Sequence, residues 1–444
     1  MFPPRTAPDE HAPPGPRQHT APVAGARSCA NDATLRELLA PGRLRAVYQP
    51  LVDLRTRAVV GHEALVRGPA GHPLEFPDRL FAAARTAGLL AELDDACRAA
   101  AVAGARAAGL AAPATLFLNT EPEAVAGTCF AAVDWPGRPD VVVEFTERAL
   151  TRDPAGLLRT VGRVRALGFG VAVDDVGAEP ASLALLPLLR PDVVKLDLRL
   201  VQQRPSADVA AIVAAVGAEA EWTGCAVLAE GIETPEHLRQ ALALGATLGQ
   251  GWLFGRPGPL TVPAPAPVPS GRLVRPRAAA EDDPAHGSAF ALAAGRRPVR
   301  TADKRLLVEI SKHLERQAAA AGECAVVVAT FQYARHFTPA TARRYAALAA
   351  GAVFVGALGE GLAPRPVPGV RGGPIAPGDP LRDEWDVAVV SPHFAAALVA
   401  RDLGDPGDGT AAGEGHRRFD AVLTYDRDVA VDVARCLMSR IAPV

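Results

Sequence analysis

Lysine is scarce in this chain. Of its 47 basic residues only Lys195, Lys304 and Lys312 are lysines, so arginine fills nearly every ordinary cationic position. The two side chains differ wherever a compact, deprotonatable ammonium is needed. Lys195 ends an apolar run and is the only lysine in the first three hundred residues, which marks it as a functional candidate. Paired cysteines are also missing. Cys29, Cys97, Cys129, Cys225, Cys324 and Cys436 are scattered, with no Cys-x-x-Cys and no histidine at zinc-ligand spacing. That pattern argues against a disulfide framework and for a reducing cytoplasm. His313, His336, His393 and His416 read as surface or loop residues for the same reason.

Excess charge of one sign is absent too. A net charge of −2 gives no support for a bulk grip on DNA or RNA. A phosphate-bearing ligand would instead be small and met by metal and a few arginines. Nowhere do eighteen apolar residues run without charge, so a soluble protein with no membrane partner is expected. Nor is there a Gly-x-Ser-x-Gly, a phosphate loop ending in Gly-Lys-Ser/Thr, or a His-Glu-x-x-His, since Val66 stands four after His62. Those absences remove the corresponding nucleophile, nucleotide-loop and zinc schemes.

A length of 444 residues is enough for one large core and one smaller one. Residues 1–30 are rich in Pro, Ala and Gly and read as a flexible tail. A helix start at Asn31 leads to strands Ala46 to Leu51 and Ala58 to Val66. Strands then alternate with helical segments: Thr115 to Asn119, Val141 to Glu147, Gly170 to Gly177, Pro191 to Asp197, Cys225 to Glu233 and Leu248 to Gly251. About eight such units fit a closed, modified TIM-type (β/α)8 barrel over 31–258 better than an open sheet. Residues 259–301 read as an extended Pro/Ala/Arg linker. A smaller α/β domain over 302–444 has expected helices at Ala302 to Ala320 and from Thr338, His393 and Asp428. Its strands are expected at Cys324, Ala352, Trp385 and Phe419, with a Pro/Gly-rich insert from Gly359 to Pro380.

The chemistry centres on two short runs, Gly170-Val-Ala-Val-Asp-Asp-Val-Gly177 and Pro191-Asp-Val-Val-Lys-Leu-Asp197. Side chains of a regular strand alternate between faces, so Asp174 and Asp175 can share one site only where the strand gives way to a loop. By itself the pair reads equally as a cation site or as an Asp-rich turn with a helix cap. Company decides the matter: Glu63, Asn119, Glu144, Asp174, Asp175, Lys195, Glu230 and Gln250 fall on seven strands, near the C-terminal end in nearly every case. In a barrel those ends converge. The set is rich in hard oxygen donors suited to Mg2+ or Mn2+. The reaction most natural to it is two-metal hydrolysis of a phosphate ester, with Lys195 orienting water and Arg67 binding a phosphate oxygen.

These residues resemble the motif set of the EAL-domain cyclic-di-GMP phosphodiesterases: Glu63-Ala-Leu65 with Arg67, Asn119, Glu144-Phe-Thr-Glu147, Asp174-Asp175-x-Gly177, Lys195-Leu-Asp197, Glu230-Gly-Ile-Glu233, and Gln250 through Pro257. The resemblance implies a barrel whose first strand runs antiparallel and hydrolysis of cyclic-di-GMP to pGpG with two divalent cations. By position, Glu63, Asn119, Glu144 and Asp174 would hold one metal, with Asp174 bridging to a second near Asp175 and Glu230. Lys195 would touch the attacking water, with Glu233 and Gln250 completing the mouth. Gln49, Pro50, Leu51, Arg67 and Pro257 would contact the nucleotide. A homodimer through the barrel belongs to the same expectation. In the family a Phe-Gly-Thr-Gly-Tyr-Ser-Ser-Leu loop follows the Asp pair, anchored by the Glu at position 147. Here Val176-Gly-Ala-Glu-Pro-Ala-Ser-Leu183 stands instead, and Glu179-Pro180 should stiffen it. That departure keeps a second reading open, a weak or inactive cyclic-di-GMP receptor. From about Ala302 the chain resembles the DICT sensory domain, on Phe331 to Thr338, Phe354 to Gly361 and Thr424 to Asp428.

Overall fold

The computed structural model describes residues 35–122, 135, 137–204, 206–260, 273–274, 287–404 and 417–442. The expected tail and most of the expected linker lie outside them. Eight strands close a barrel in chain order: β1 (Arg45–Asp53), β2 (Val59–Arg67), β3 (Thr115–Asn119), β4 (Asp140–Thr146), β5 (Gly170–Val176), β6 (Val193–Leu196), β7 (Ala226–Ala229) and β8 (Leu248–Gly249). β1 runs antiparallel to both of its neighbours, β2 and β8, and every other adjacent pair is parallel. The Val-rich runs are buried on both faces, as parallel strands under a shell of helices must be.

That shell comprises α1 (Pro77–Ala87), α2 (Leu90–Ala107), α3 (Glu147–Arg152), α4 (Pro154–Ala166), α5 (Leu186–Leu189), α6 (Leu198–Gln202), α7 (Ala207–Thr223) and α8 (Pro235–Ala243). Proline in the first turn opens α1, α4 and α8, where its missing N–H costs nothing. Side-chain caps from Asp197, Ser206 and Thr234 open α6, α7 and α8.

Inside the barrel, each strand contributes one residue to a single apolar floor: Leu51, Val60, Phe117, Val142, Ala172, Val193, Leu228 and Leu248. Leu273 and Val274 pack against the same cluster. The floor sets the position of the polar residues. Side chains two apart share a strand face, and two positions beyond the floor come Asn119, Glu144, Asp174, Lys195, Glu230 and Gln250. On antiparallel β1 the count reverses and reaches Gln49. On β2 it is three, to Glu63. There Leu51 pairs with Gly61 and Val52 with Val59, which makes Val60 the extra residue of a bulge.

The second body is a seven-stranded sheet in the order β12-β11-β10-β13-β14-β15-β9. Its strands are β9 (Arg300–Asp303), β10 (Val326–Tyr333), β11 (Phe354–Glu360), β12 (Val370–Pro374), β13 (Glu384–Val390), β14 (Ala395–Asp402) and β15 (Arg418–Thr424). Its helices are α9 (Ala289–Ala294), α10 (Lys304–Ala321), α11 (Pro339–Ala349) and α12 (Arg427–Met438).

Three expectations are corrected here. The Ala-rich run from His393, expected to be helical, is strand β14: it pairs with β13 and β15, and its first six residues are buried. Burial in mid-sheet overrides the helical preference of alanine. The Pro/Gly insert contains strand β12, paired in parallel with β11. The stretch expected as extended linker contains α9, capped by Ser288, with Ala289, Phe290 and Ala293 buried.

One buried apolar cluster runs from the outer shell of the barrel through α12 to one face of the sheet, and a second lies on the other face. Polar contacts reinforce the junction. Arg190 pairs with Asp432 at 2.9 Å, and Arg159 donates to the carbonyl of Ile441 at 3.2 Å. Arg427 stacks 3.7 Å from the Trp222 ring centroid and faces buried Glu219 at 3.6 Å.

Candidate active site

Lys195 is fully buried at the centre of the polar layer. Its Nζ stands 2.8 Å from Glu230, 2.9 Å from Glu144, 2.9 Å from Asp174 and 3.7 Å from Glu63. Burial works against the ammonium, but these four carboxylates outweigh it and hold the group protonated, well above its ordinary range. The carboxylates respond unequally. Burial, opposed by Lys195, raises Glu144 well above its ordinary value and pushes Glu230 up to about 8. Glu63 goes the other way: burial is outweighed by Lys195 and by hydrogen bonds from Gln250 and Asn119. Those bonds measure 2.6 Å and 2.7 Å, and the same Gln250 amide donates to Gln49 at 3.0 Å. One ammonium cannot balance four crowded carboxylates, and Glu144 and Glu230 are pushed toward their protonated forms, the condition that divalent cations would relieve.

The Asp pair shares one site through a local break in β5. Asp175 has φ +58°, left-handed for a non-glycine residue, and the β5–β6 register shifts between Val173 and Val176. The extra turn brings Asp175 round to the side of Asp174, where alternation would have sent it to the opposite face. Carboxylate oxygens of Asp174, Asp175 and Glu230 consequently lie within 4.8 Å of one another, a spacing able to hold a metal ion. Burial, then the neighbouring Asp174 carboxylate, raises the pKa of Asp175.

Glu147, at the start of α3, is buried and accepts hydrogen bonds from the backbone N–H of Gly177 at 3.2 Å and of Glu179 at 2.8 Å, and from the Ser182 hydroxyl. It therefore ties down the loop that follows the Asp pair. Glu179 itself accepts from Thr151 at 3.1 Å and lies 3.8 Å from Arg148. At the other side of the mouth, Gly251 is irreplaceable for space: a Cβ there would lie 2.2 Å from the carbonyl oxygen of Ile232.

The remaining candidates are not all brought together. Gln49 is buried and donates to the carbonyl of Gly255 at 3.1 Å, which links β1 to the segment carrying Pro257. Pro50 packs beside Gly255, and Pro257 is half-buried. Arg67 is half-buried at the end of β2 and donates to the carbonyl of Val66. Glu233 is exposed, its backbone N–H bonded to His237. Leu51 is a floor residue with no exposed surface, below the mouth and out of reach of a ligand there.

Sequence reasoning missed Asp94 and Arg98. They form a buried ion pair on α2 and line, with Phe81, Glu63, Asn119 and Glu144, a cavity of about 380 Å³ at the mouth. An Asp and an Arg four apart on a helix were the available signal, hidden in an Ala-rich stretch.

Residues 32–257, about half of the chain, match the family model described as EAL domain, and residues 289–403 match the sensory domain in diguanylate cyclases and two-component system, DICT. The cyclic di-GMP phosphodiesterase RocR of Pseudomonas aeruginosa is 31% identical over 228 residues, covering 49% of this chain and 58% of RocR. The cyclic di-GMP phosphodiesterase NbdA of the same organism is 31% identical over 239 residues, covering 51% of this chain and 30% of NbdA. The chain thus spans less than two thirds of each relative. A structure of Klebsiella pneumoniae BlrP1 with manganese and cyclic-di-GMP, at pH 9.0, is 30% identical over 49% of this chain and 57% of that one, with a TM-score of 0.43. Among the described residues no helix is long and apolar enough to cross a membrane.

Proposed function

The chain belongs to the EAL-domain family, and we propose on that footing that its barrel hydrolyses cyclic-di-GMP to linear pGpG with the help of two divalent cations, Mg2+ or Mn2+. The observation that carries this reading is the crowding of four carboxylates around one ammonium at the mouth, a set of hard oxygen donors in which Glu63 and Glu144 are buried and Asp174 and Glu230 half-buried. Glu63, Asn119, Glu144 and Asp174 would hold one cation, and Asp174 with Asp175 and Glu230 the other, on the side where their oxygens cluster. Bound there, the cations would supply a water of lowered pKa and neutralise charge on the displaced oxygen.

The chain's own groups do the rest. Lys195, held protonated, points its N–H bonds at the same oxygens and orients the attacking water among them. Gln250 fixes Glu63 and Gln49 in one hydrogen-bonded row, so the donor set is in place before ligand arrives. Arg67 and the Gln49-Pro50 and Pro257 segments would face the nucleotide, and Glu233 would swing in from the rim. The sensory domain would regulate turnover through α12, whose packing against the barrel supports that role. A homodimer through the barrel belongs to the same proposal and is measurable by light scattering.

A second reading, a receptor that binds cyclic-di-GMP with little or no turnover, is favoured by one observation. The loop after the Asp pair carries Glu179-Pro180 and is pinned by both Glu147 and Thr151. Incubation of the full chain with cyclic-di-GMP and Mn2+, and separately with Ca2+, distinguishes the two. Formation of pGpG under Mn2+ is expected; tight binding without pGpG would overturn the enzyme reading.

A further inference from the structure

The face of the second sheet turned away from α12 holds a cavity of about 320 Å³, between α10, α11 and the strands β10, β13 and β15. Its volume is that of a small-molecule site. Four aromatic rings line it: Phe331, Tyr345, Trp385 and Phe419. Phe331 and Tyr345 meet edge to face at 5.2 Å between centroids, as do Trp385 and Phe419 at 5.9 Å, so the rings form two rigid corners and not a collapsed stack.

The polar lining is unbalanced. Lys304, Lys312, Arg335 and Arg344 border the cavity, against a single carboxylate, Glu315, which Arg344 already engages. Lys312 reaches Glu309 on its own helix, and Arg335 lies over the Tyr333 ring. In a chain with three lysines, two of them at one cavity is a concentration of cations. The hydroxyl of Ser311 is buried, lines the cavity and has no hydrogen-bond partner among the described residues. An unsatisfied buried hydroxyl is destabilising and calls for an explanation. The backbone is irregular at the same place: Gln332, a lining residue, has φ +56°, and the β10–β11 register shifts between Thr330 and Tyr333. Bulges of this kind commonly re-aim side chains beside binding sites.

We propose that this cavity binds a small planar organic anion, an aromatic carboxylate whose ring system lies among Phe331, Tyr345, Trp385 and Phe419. Its carboxylate meets the cationic side chains and accepts from the Ser311 hydroxyl, which then has its partner. The aromatic corners set the apolar, flat shape. Arginine selects carboxylate through its planar fork. This site is independent of the barrel and stands whether or not the barrel turns over nucleotide.

Titration calorimetry of the full chain with 2-naphthoate, benzoate and indole-3-acetate tests it, with 2-naphthamide and 2-naphthylmethylamine as neutral and cationic counterparts. At least one of the three acids is expected to saturate the protein with one site, and the two uncharged or cationic counterparts to bind at least tenfold more weakly than 2-naphthoate. Arg335→Glu and Ala340→Trp, both at exposed rim positions, should each weaken the acid at least tenfold while the circular dichroism spectrum and thermal midpoint stay unchanged. No saturable binding of any acid, equal binding of acid, amide and amine, or affinity indifferent to both variants would each overturn the proposal.

Discussion

Replacing Lys195 by Met removes one charge from a site where four carboxylates depend on it. The side chain is nearly isosteric, so packing changes little, and the loss is electrostatic. Removing one partner from a buried ionic cluster costs about 3–5 kcal/mol, because the carboxylates left behind lose their counter-ion. For a barrel of this size each kcal/mol moves the thermal midpoint by about 2–4 °C. The barrel transition of Lys195→Met in chelator should therefore fall by about 10 °C. Mn2+ should restore most of that deficit, since divalent cations take over the neutralisation. Cyclic-di-GMP affinity with Ca2+ should stay nearly unchanged and pGpG formation should vanish. Differential scanning calorimetry with and without Mn2+, paired with a chromatographic assay for pGpG, reads all of these. Undiminished turnover would remove Lys195 from the mechanism. A midpoint unmoved in chelator would show that the carboxylates are not held together by the ammonium.

Three further outcomes are expected. Gly251→Ala should destabilise the barrel by about 3 kcal/mol in urea unfolding, because its Cβ would press into the Ile232 backbone; a change within error would refute the close-approach argument. Glu147→Ala should cost about 2 kcal/mol by orphaning the Gly177, Glu179 and Ser182 donors, and should lower turnover more than nucleotide affinity, as read by paired hydrolysis and binding assays. Arg427→Ala should cost about 3 kcal/mol by stranding the buried Glu219 carboxylate, and Glu219→Leu in the same chain should recover much of it. Additive effects in that double-mutant cycle would show that the two residues do not communicate.

Much of the barrel was legible because its strands are written as short β-branched runs ending in charge. Such runs leave few alternatives once they alternate with helices at this spacing. The polar mouth was legible for the same reason: Asn119, Glu144, Asp174, Lys195, Glu230 and Gln250 all follow their floor residue by two. The joint position of Asp174 and Asp175 was only conditionally readable, since it depends on a left-handed residue that the letters Asp-Asp do not announce. Strand β14 was not readable at all from local preference; its alanines form a strand because sheet neighbours and helices enclose them on both sides. Leu51 was misplaced by proximity, since it adjoins Gln49 and Pro50 in the chain while its side chain drops to the floor. Asp94 and Arg98 escaped notice because their helix reaches the mouth only in three dimensions.

The floor of eight apolar side chains has a consequence for traffic. It closes the lower end of the barrel, with Leu273 and Val274 packed against it, so that solvent and any ligand of the polar layer must pass through one doorway. Exchange is then sequential: the vestibule must empty before it refills, and under the proposed reaction pGpG that lingered there would obstruct the next arrival.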